Sequence, residues 1–280
     1  MTHDRFVPAH DGLLLHVRDF GQASANVPLL CLPGLTHSNA VYEAVAPGLS
    51  ARRRVLTMSL RGRGRSGHDP TGETYALDQY VEDVIQVLDD LGLGRVVLLG
   101  TSLGGLTSMW ATWRAPHRVA GLVLNDVGPE LQPEGLARIR SYAGKLGPVA
   151  SWDEAVAQAK EVSAVAFPDY TADDWLRVAR TRYRDTPGGD VVLDHDQRVG
   201  TGRLASDDPW AVFAACAEKP LLLVRGELTD LLAPETVALM RAFAPHMSVV
   251  EVANRGHAPT LEEPEALDAL ERFLGGLDRR

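Results

Sequence analysis

Residues 98–105 read Leu-Leu-Gly-Thr-Ser-Leu-Gly-Gly, an apolar run that breaks into a Gly-x-Ser-x-Gly turn centred on Ser102. The apolar residues 95–99 predict a short buried strand, and residues 104–115 predict a helix that opens on small side chains. A strand that turns directly into a helix brings two backbones close together, so glycine is needed on both sides of the serine. Such a turn lifts the hydroxyl of Ser102 clear of the sheet. We therefore expect Ser102 to be a nucleophile.

Apolar runs alternate with helical periodicity along most of the chain. The predicted strands cover residues 5–8, 13–19, 28–32, 55–58, 95–99, 119–124, 220–224 and 247–252. The predicted helices between them cover residues 41–49, 77–91, 104–115, 234–243 and 264–274. Strands that are apolar on both faces and alternate with helices favour a mostly parallel sheet wrapped by helices. The first two strands differ, because the Asp11-Gly12 pair between them predicts a hairpin turn.

This alternation stops between residues 127 and 209. The stretch has helical periodicity at residues 136–143, 152–165 and 173–183, and it lacks convincing buried strands. We interpret residues 127–209 as a helical cap inserted into an α/β core made of residues 1–126 and 210–280. Thr171 is the expected N-cap of the third of these helices.

The amino-acid composition argues against some classes of binding partner. A formal net charge of −9 and a pI near 5.5 argue against binding to nucleic acid or to an anionic membrane surface. The amino-terminal residues lead into no apolar segment, so we expect a cytoplasmic protein. We also expect a monomer or a homodimer. Cys31 and Cys216 lie far apart in apolar segments, which indicates reduced core cysteines. The nine histidines show no metal-ligand spacing, and we expect neither a metal nor a cofactor.

A serine hydroxyl is a poor nucleophile at neutral pH, so the site needs a base and an acid that orients the base. His257 lies just past the last predicted strand and before the final helix, where a base is expected. The other histidines lack this position at a strand end. His257 is therefore the predicted base.

The orienting acid should follow an earlier strand. Our choice is Asp230, because the Thr229-Asp230-Leu231-Leu232 turn enters an apolar stretch that could desolvate the carboxylate. Glu227 in the same loop and Asp126, at the end of the strand predicted at 119–124, remain alternatives. With Asp230 the order along the chain is Ser, Asp, His, as in α/β-hydrolases.

Attack on a carbonyl places negative charge on its oxygen, and the site must offer hydrogen-bond donors to it. The backbone N–H of Leu103, directly after the serine, is one predicted donor. The second is the N–H of Leu35, because Pro33 has no N–H and Gly34 permits a sharp turn.

Taken together, these segments resemble the serine α/β-hydrolase superfamily. The resemblance is carried by the order of the three candidate residues, Leu32-Pro33-Gly34, Arg61-Gly62-Arg63-Gly64-Arg65-Ser66, the turn at Ser102 and Arg255-Gly256-His257. It covers nearly the whole chain and is similar to the branch of capped esterases, enol-lactonases and meta-cleavage-product hydrolases. The resemblance implies an eight-stranded, mostly parallel sheet and a mechanism without a cofactor.

The substrate pocket should lie between the cap and Ser102, at the carboxyl ends of the strands. His37, two residues past the predicted Leu35 donor, is a candidate for substrate contact. Candidates from the cap are the aromatic residues Tyr142, Trp152 and Trp175, together with Leu136 and Ile139.

The leading hypothesis is a serine hydrolase that cleaves a small or medium carboxylic ester or lactone through an acyl-enzyme. A hydrolase of C–C bonds in meta-cleavage-type diketones, using the same residues, is the first alternative. A ligand receptor without catalytic activity on the same fold is the second. Relatives that displace halide or open epoxides use an aspartate nucleophile, so Ser102 argues against those reactions.

Overall fold

The structure is a computed structural model that describes residues 2–21, 24–202 and 207–278. Its strands, in chain order, are β1 (His3–Pro8), β2 (Leu14–Asp19), β3 (Leu29–Leu32), β4 (Val55–Met58), β5 (Val96–Thr101), β6 (Val119–Asn125), β7 (Tyr183–Asp185), β8 (Val191–Leu193), β9 (Leu221–Gly226) and β10 (Ser248–Val252). Its α-helices are α1 (Ala46–Leu49), α2 (Leu77–Asp90), α3 (Leu103–Arg114), α4 (Pro133–Tyr142), α5 (Trp152–Ser163), α6 (Ala172–Arg180), α7 (Pro209–Cys216), α8 (Pro234–Phe243) and α9 (Pro264–Leu277).

Eight strands form one sheet in the order β1-β2-β4-β3-β5-β6-β9-β10. Only β2 runs antiparallel to its neighbours, and every pairing from β4 to β10 is parallel. The predicted eight-stranded, mostly parallel sheet is therefore confirmed. Because parallel strands end at the same edge, the loops after β5, β6, β9 and β10 emerge side by side.

The sheet forms because its central strands are apolar on both faces. Every residue of β3, β4, β6 and β9 is buried, and helices cover both sides of the sheet with two apolar clusters. Cys31 and Cys216 are both buried and free. Each face of the sheet is thus a closed apolar core.

Residues 127–209, here called the insertion, connect β6 to β9. Where the structure describes them, they contain α4, α5 and α6, and Thr171 caps α6 as predicted, with a reciprocal hydrogen bond to Asp174. They also contain a two-stranded hairpin of β7 and β8, which the sequence analysis missed. Each strand is only three residues long, so neither gives a clear alternation of apolar and polar residues.

The insertion has apolar clusters of its own. One is formed by Ala155, Ala159, Ala179, Tyr183 and Val191, and another by Ala166, Phe167 and Trp175. Neither cluster merges with the two that cover the main sheet. The insertion is also tied to the core by backbone, because Gly64 N–H donates to Asp194 O at 2.7 Å and Asp196 N–H donates to Gly62 O at 2.7 Å.

Candidate active site

Ser102 occupies the sharp turn between β5 and α3. Its φ angle is +52°, a left-handed conformation that is strained for a residue with a side chain. The glycines around it permit this turn, because a Cβ at Gly100 would lie 2.3 Å from Gly104 O, and one at Gly104 would lie 2.0 Å from Leu32 O. The close approach of backbones expected from the sequence is therefore present.

His257 reaches Ser102 from the loop after β10. Its Nε2 lies 2.9 Å from Ser102 Oγ, and its Nδ1 lies 2.8 Å from Asp126 Oδ2. With the proton on Nδ1, the ring donates to the carboxylate and Nε2 can accept the proton of the serine hydroxyl. The three side chains thus form one continuous hydrogen-bonded chain.

Asp126 is the acid in this chain. It directly follows β6, its side chain is completely buried, and its φ angle is +54°. Two further groups donate to its carboxylate, the N–H of Gly226 to Oδ1 at 3.0 Å and the hydroxyl of Thr229 to Oδ2 at 2.6 Å. These donors hold an otherwise unfavourable buried charge in a fixed orientation toward the imidazole.

The prediction that Asp230 orients His257 is wrong. Both oxygens of Asp230 bind the guanidinium of Arg138 on α4, at 2.5 Å from Nε and 2.8 Å from Nη2. This pair holds the pKa of Asp230 below its usual range and raises the pKa of Arg138. Glu227 is also excluded, because its carboxylate accepts the N–H of Asn254. Of the three carboxylates considered, Asp126 makes the contact.

The two predicted oxyanion donors flank the serine. Leu35, Ser102 and Leu103 line one cleft, and a Cβ at Gly34 would lie 3.6 Å from the Cβ of Ser102. Within the described part of the chain, neither the N–H of Leu35 nor that of Leu103 has a hydrogen-bond acceptor. Both donors are therefore free to bind an oxygen that develops charge beside Ser102.

A second polar network holds the strand ends around the site, and the sequence analysis missed it. Tyr42 donates to Leu32 O at 2.8 Å and contacts the hydroxyl of Thr101 at 3.0 Å. Asn125 donates to the same hydroxyl at 3.1 Å and to Pro259 O at 2.9 Å. The network ties β3, β5 and β6 to the loop that carries His257.

Two clefts meet at this site. The apolar cleft is open to solvent, and it is lined by Ser102, Leu103, Leu136, Ile139 and neighbours. The other cleft is also open to solvent; it is here called the polar cleft because its lining includes His37, Arg182 and His257, although apolar atoms make up most of that lining. The insertion contributes walls to both clefts.

Some of the predicted pocket residues line the two clefts, and others do not. His37 lines the polar cleft, and Leu136 and Ile139 line the apolar one. The prediction that aromatic residues of the cap contact the substrate is wrong for Tyr142, Trp152 and Trp175. None of the three is among the described residues that line these clefts.

Each of the three aromatics has other partners. Trp175 is buried against Phe167 and Tyr170, and it supports the cleft wall from behind. Trp152 donates to Asp185 and stacks under Arg180, at the hairpin side of the insertion. Tyr142 lies beside the Arg138 guanidinium. These three aromatic residues therefore contact other residues of the insertion and do not line the clefts.

Two absences apply to residues 2–21, 24–202 and 207–278. No group of three or more His, Cys, Asp or Glu side chains there could hold a metal ion. No helix in these ranges combines the length and apolarity that crossing a membrane requires.

Comparison with known proteins agrees with this geometry. A family model described as the alpha/beta hydrolase fold matches residues 27–264. The chain belongs to the α/β-hydrolase family. A solved α/β-hydrolase structure from Novosphingobium aromaticivorans superposes with a TM-score of 0.93 at 39% identity, over 98% of each chain. The fold and family expected from the sequence are thereby confirmed.

Two relatives with hydrolase names are similar to this chain over most of their length. A 3-hydroxybutyrate-oligomer hydrolase from Cupriavidus necator is 33% identical over 263 residues, which cover 89% of this chain and 88% of that protein. A 2-(acetamidomethylene)succinate hydrolase from Mesorhizobium japonicum is 26% identical over 264 residues, which cover 94% and 92%. The family and these relatives support hydrolase chemistry.

Proposed function

We propose that the protein is a carboxylic-ester hydrolase that works through an acyl-enzyme, with Ser102, His257 and Asp126 as catalytic residues. The observation that carries this proposal is the chain of two hydrogen bonds, 2.9 Å from Ser102 Oγ to His257 Nε2 and 2.8 Å from Nδ1 to Asp126. Nucleophile, base and acid are in contact without any rearrangement of the protein.

In the first half-reaction, Ser102 Oγ bonds to the carbonyl carbon while its proton passes to His257 Nε2. The N–H groups of Leu35 and Leu103 donate to the resulting oxyanion. Collapse of this intermediate breaks the bond from carbon to the alkoxy oxygen, and His257 returns its proton to the departing alcohol. Asp126 stabilises the imidazolium that exists between these two transfers.

In the second half-reaction, water takes the place of the alcohol. His257 accepts a proton from water, whose oxygen bonds to the acyl carbon. The bond to Ser102 Oγ then breaks, and the serine recovers its proton from His257. The products are one carboxylic acid and one alcohol, and the reaction needs neither a metal nor a redox partner.

A small or medium ester or lactone fits the two clefts. We propose that the insertion acts as a cap that selects the substrate, because its residues line both clefts while all three catalytic residues come from the core. An oligoester of a hydroxy acid is our first candidate, since a relative that is 33% identical is a 3-hydroxybutyrate-oligomer hydrolase. Such an oligoester carries both the ester bond and a terminal carboxylate.

The test combines covalent labelling with a panel of substrates. We expect a fluorophosphonate to label Ser102 and no other serine, and Ser102→Ala to abolish turnover of p-nitrophenyl butyrate while the protein remains folded. A dienol diketone tests the C–C hydrolase alternative in parallel. Faster cleavage of the diketone than of every ester would contradict the proposal, and so would ligand binding without any turnover, which is the expectation for a receptor.

A further inference from the structure

Arg182 is a buried cation in the wall of the polar cleft. It lies between α6 and β7, it is 6% exposed, and it lines the cleft together with His37 and His257. Its Nη2 donates to the hydroxyl of Ser163 at 2.9 Å, whereas its Nε is buried without an acceptor among the described residues. A guanidinium in this setting has lost water contacts without full replacement.

No carboxylate of the described residues lies within ion-pair distance of Arg182. Other arginines of the insertion do have such partners, Asp174 for Arg177 and Asp230 for Arg138. Burial lowers the pKa of Arg182, the phenols of Tyr142 and Tyr183 oppose this change, and the Arg138 guanidinium adds to it. The positive charge of Arg182 is thus left unbalanced by the protein.

Two imidazoles lie close to this positive charge. Burial, followed by repulsion from Arg182, holds the pKa of His37 well below its usual range. Burial and the nearby guanidinium groups of Arg63 and Arg182 lower the pKa of His195 to about 4, and Nδ1 of His195 also has no partner among the residues described. Both rings are therefore neutral near pH 7, and Arg182 carries the charge.

The acidic side chains that line the polar cleft do not neutralise the positive charge of Arg182. Asp174 lines it, but its oxygens already accept from Thr171 and Arg177. Glu262 also lines it and is solvent-exposed. Water therefore screens the charge of Glu262 far more effectively than it screens Arg182 in the cleft wall.

The position of His257 indicates which part of an ester enters the polar cleft. His257 must protonate the departing alcohol, so the alcohol part lies on the imidazole side of the serine. His257 lines the polar cleft, whereas Ser102, Leu35 and Leu103 line the apolar cleft. The acyl part then occupies the apolar cleft, and the alcohol part points toward Arg182.

We infer that Arg182 binds a carboxylate on the alcohol part of the substrate, so that the preferred substrates are esters whose leaving group is a hydroxy acid. This inference rests on the proposed ester hydrolysis. A carboxylate in the cleft supplies the counter-charge that Arg182 lacks, and it can accept a hydrogen bond from the guanidinium where Arg182 lines the cleft. His37 is a second donor on the same wall.

The test compares two esters that differ only in one charge. O-Butyryl-3-hydroxybutyrate carries the carboxylate on its alcohol part, and O-butyryl-3-hydroxybutyramide replaces it with a neutral amide. We expect wild-type kcat/KM to favour the carboxylate by about tenfold, mainly through KM, because a charge-assisted hydrogen bond contributes at least that factor to binding. Monoethyl succinate and ethyl succinamate, which differ on the acyl side, should show no such preference.

Arg182→Gln should abolish the preference for the carboxylate, measured as the ratio of kcat/KM between the two alcohol-side esters. Arg182→Lys should restore part of the preference. The matched control is Arg180→Gln, which removes the same charge from an exposed residue at the end of α6 that stacks on Trp152. Its preference should equal that of the wild type.

The inference is overturned if Arg182→Gln slows both alcohol-side esters equally, or if wild type prefers the neutral one. Turnover of p-nitrophenyl butyrate separates this failure from failure of the proposed function. If the protein hydrolyses p-nitrophenyl butyrate but shows no preference between the two alcohol-side esters, only the role inferred for Arg182 is wrong. A protein that hydrolyses no ester contradicts the proposed function itself.

Discussion

The loops after β6 and β9 emerge side by side, and each presents an aspartate. Asp126, after β6, is completely buried and receives donors from His257, Gly226 and Thr229. Asp230, after β9, is 32% exposed at its side chain and is paired with Arg138. The last residue of β9 and the loop after it therefore support Asp126, because Gly226 and Thr229 donate to its carboxylate while Asp230 pairs with the insertion.

This difference teaches that the acid of the site is decided by surrounding donors and not by the order of residues along the chain. A carboxylate inside a protein stays ionised only where hydrogen bonds replace its water. Asp126 has those hydrogen bonds and faces the imidazole. Asp230 obtains its stabilisation from a guanidinium, which also fixes its direction away from the base.

The largest effect that separates the two aspartates should come from neutralising the buried one. Asp126→Asn should lower kcat for p-nitrophenyl butyrate by about 10³-fold to 10⁴-fold, because the imidazole loses its counter-charge and its preferred tautomer. Steady-state kinetics on folded protein measures this, with circular dichroism as the control for folding. A loss smaller than that of Asp230→Asn would reverse the assignment of the two aspartates.

A smaller effect should follow from removing one donor to Asp126. Thr229→Val deletes the hydroxyl that lies 2.6 Å from Asp126 Oδ2, so kcat should fall by about tenfold. Thr229→Ser keeps the hydroxyl and serves as the matched control. If valine and serine gave the same rate, the hydroxyl would have no part in orienting the acid.

Neutralising the exposed aspartate should change catalysis least. Asp230→Asn breaks the ion pair with Arg138 and leaves the contact between His257 and Asp126 in place, so kcat should stay within about threefold of wild type. The same p-nitrophenyl butyrate assay applies. A fall of more than a hundredfold would return Asp230 to the role expected from the sequence.

The pair of Asp230 and Arg138 should instead appear as a small, pH-dependent contribution to stability. Because Arg138 lowers the pKa of folded Asp230, the pair stabilises the fold above the unfolded pKa of about 3.9 and is lost as pH falls through the lower folded value. Asp230→Asn should cost no more than about 1 kcal/mol in the free energy of unfolding near pH 7, and less at about pH 3. Urea titrations at both pH values measure it, and a cost that grew with acidity would contradict the pairing.

Most of the fold could be predicted from the sequence because its central strands are continuous apolar runs. The strand predicted at 55–58 has the observed bounds, and the one predicted at 119–124 is one residue too short. The hairpin of β7 and β8 could not be predicted in the same way. Its stability comes from packing inside the insertion, where Tyr183 and Val191 join the cluster with Ala155.

The site was predictable where a residue is defined by its immediate neighbours in sequence. Ser102 and His257 are such residues, since a strained turn and a strand end identify them locally. The acid is different, because the donors that select Asp126 come from residues about a hundred positions later in the chain. The role inferred for Arg182 could not be predicted, because neither its burial nor its lack of a counter-ion is visible in the sequence.

The position of Asp126 has a consequence for how this protein can diversify. Asp126 is the last residue of the core before the insertion begins. The acid therefore directly precedes the segment that lines both clefts. An exchange of insertions between relatives must therefore join the chain after residue 126, or the new enzyme will lose the acid that orients His257. Under the proposed function, we expect swapped proteins that obey this rule to keep the reaction and to differ in the ester that they prefer.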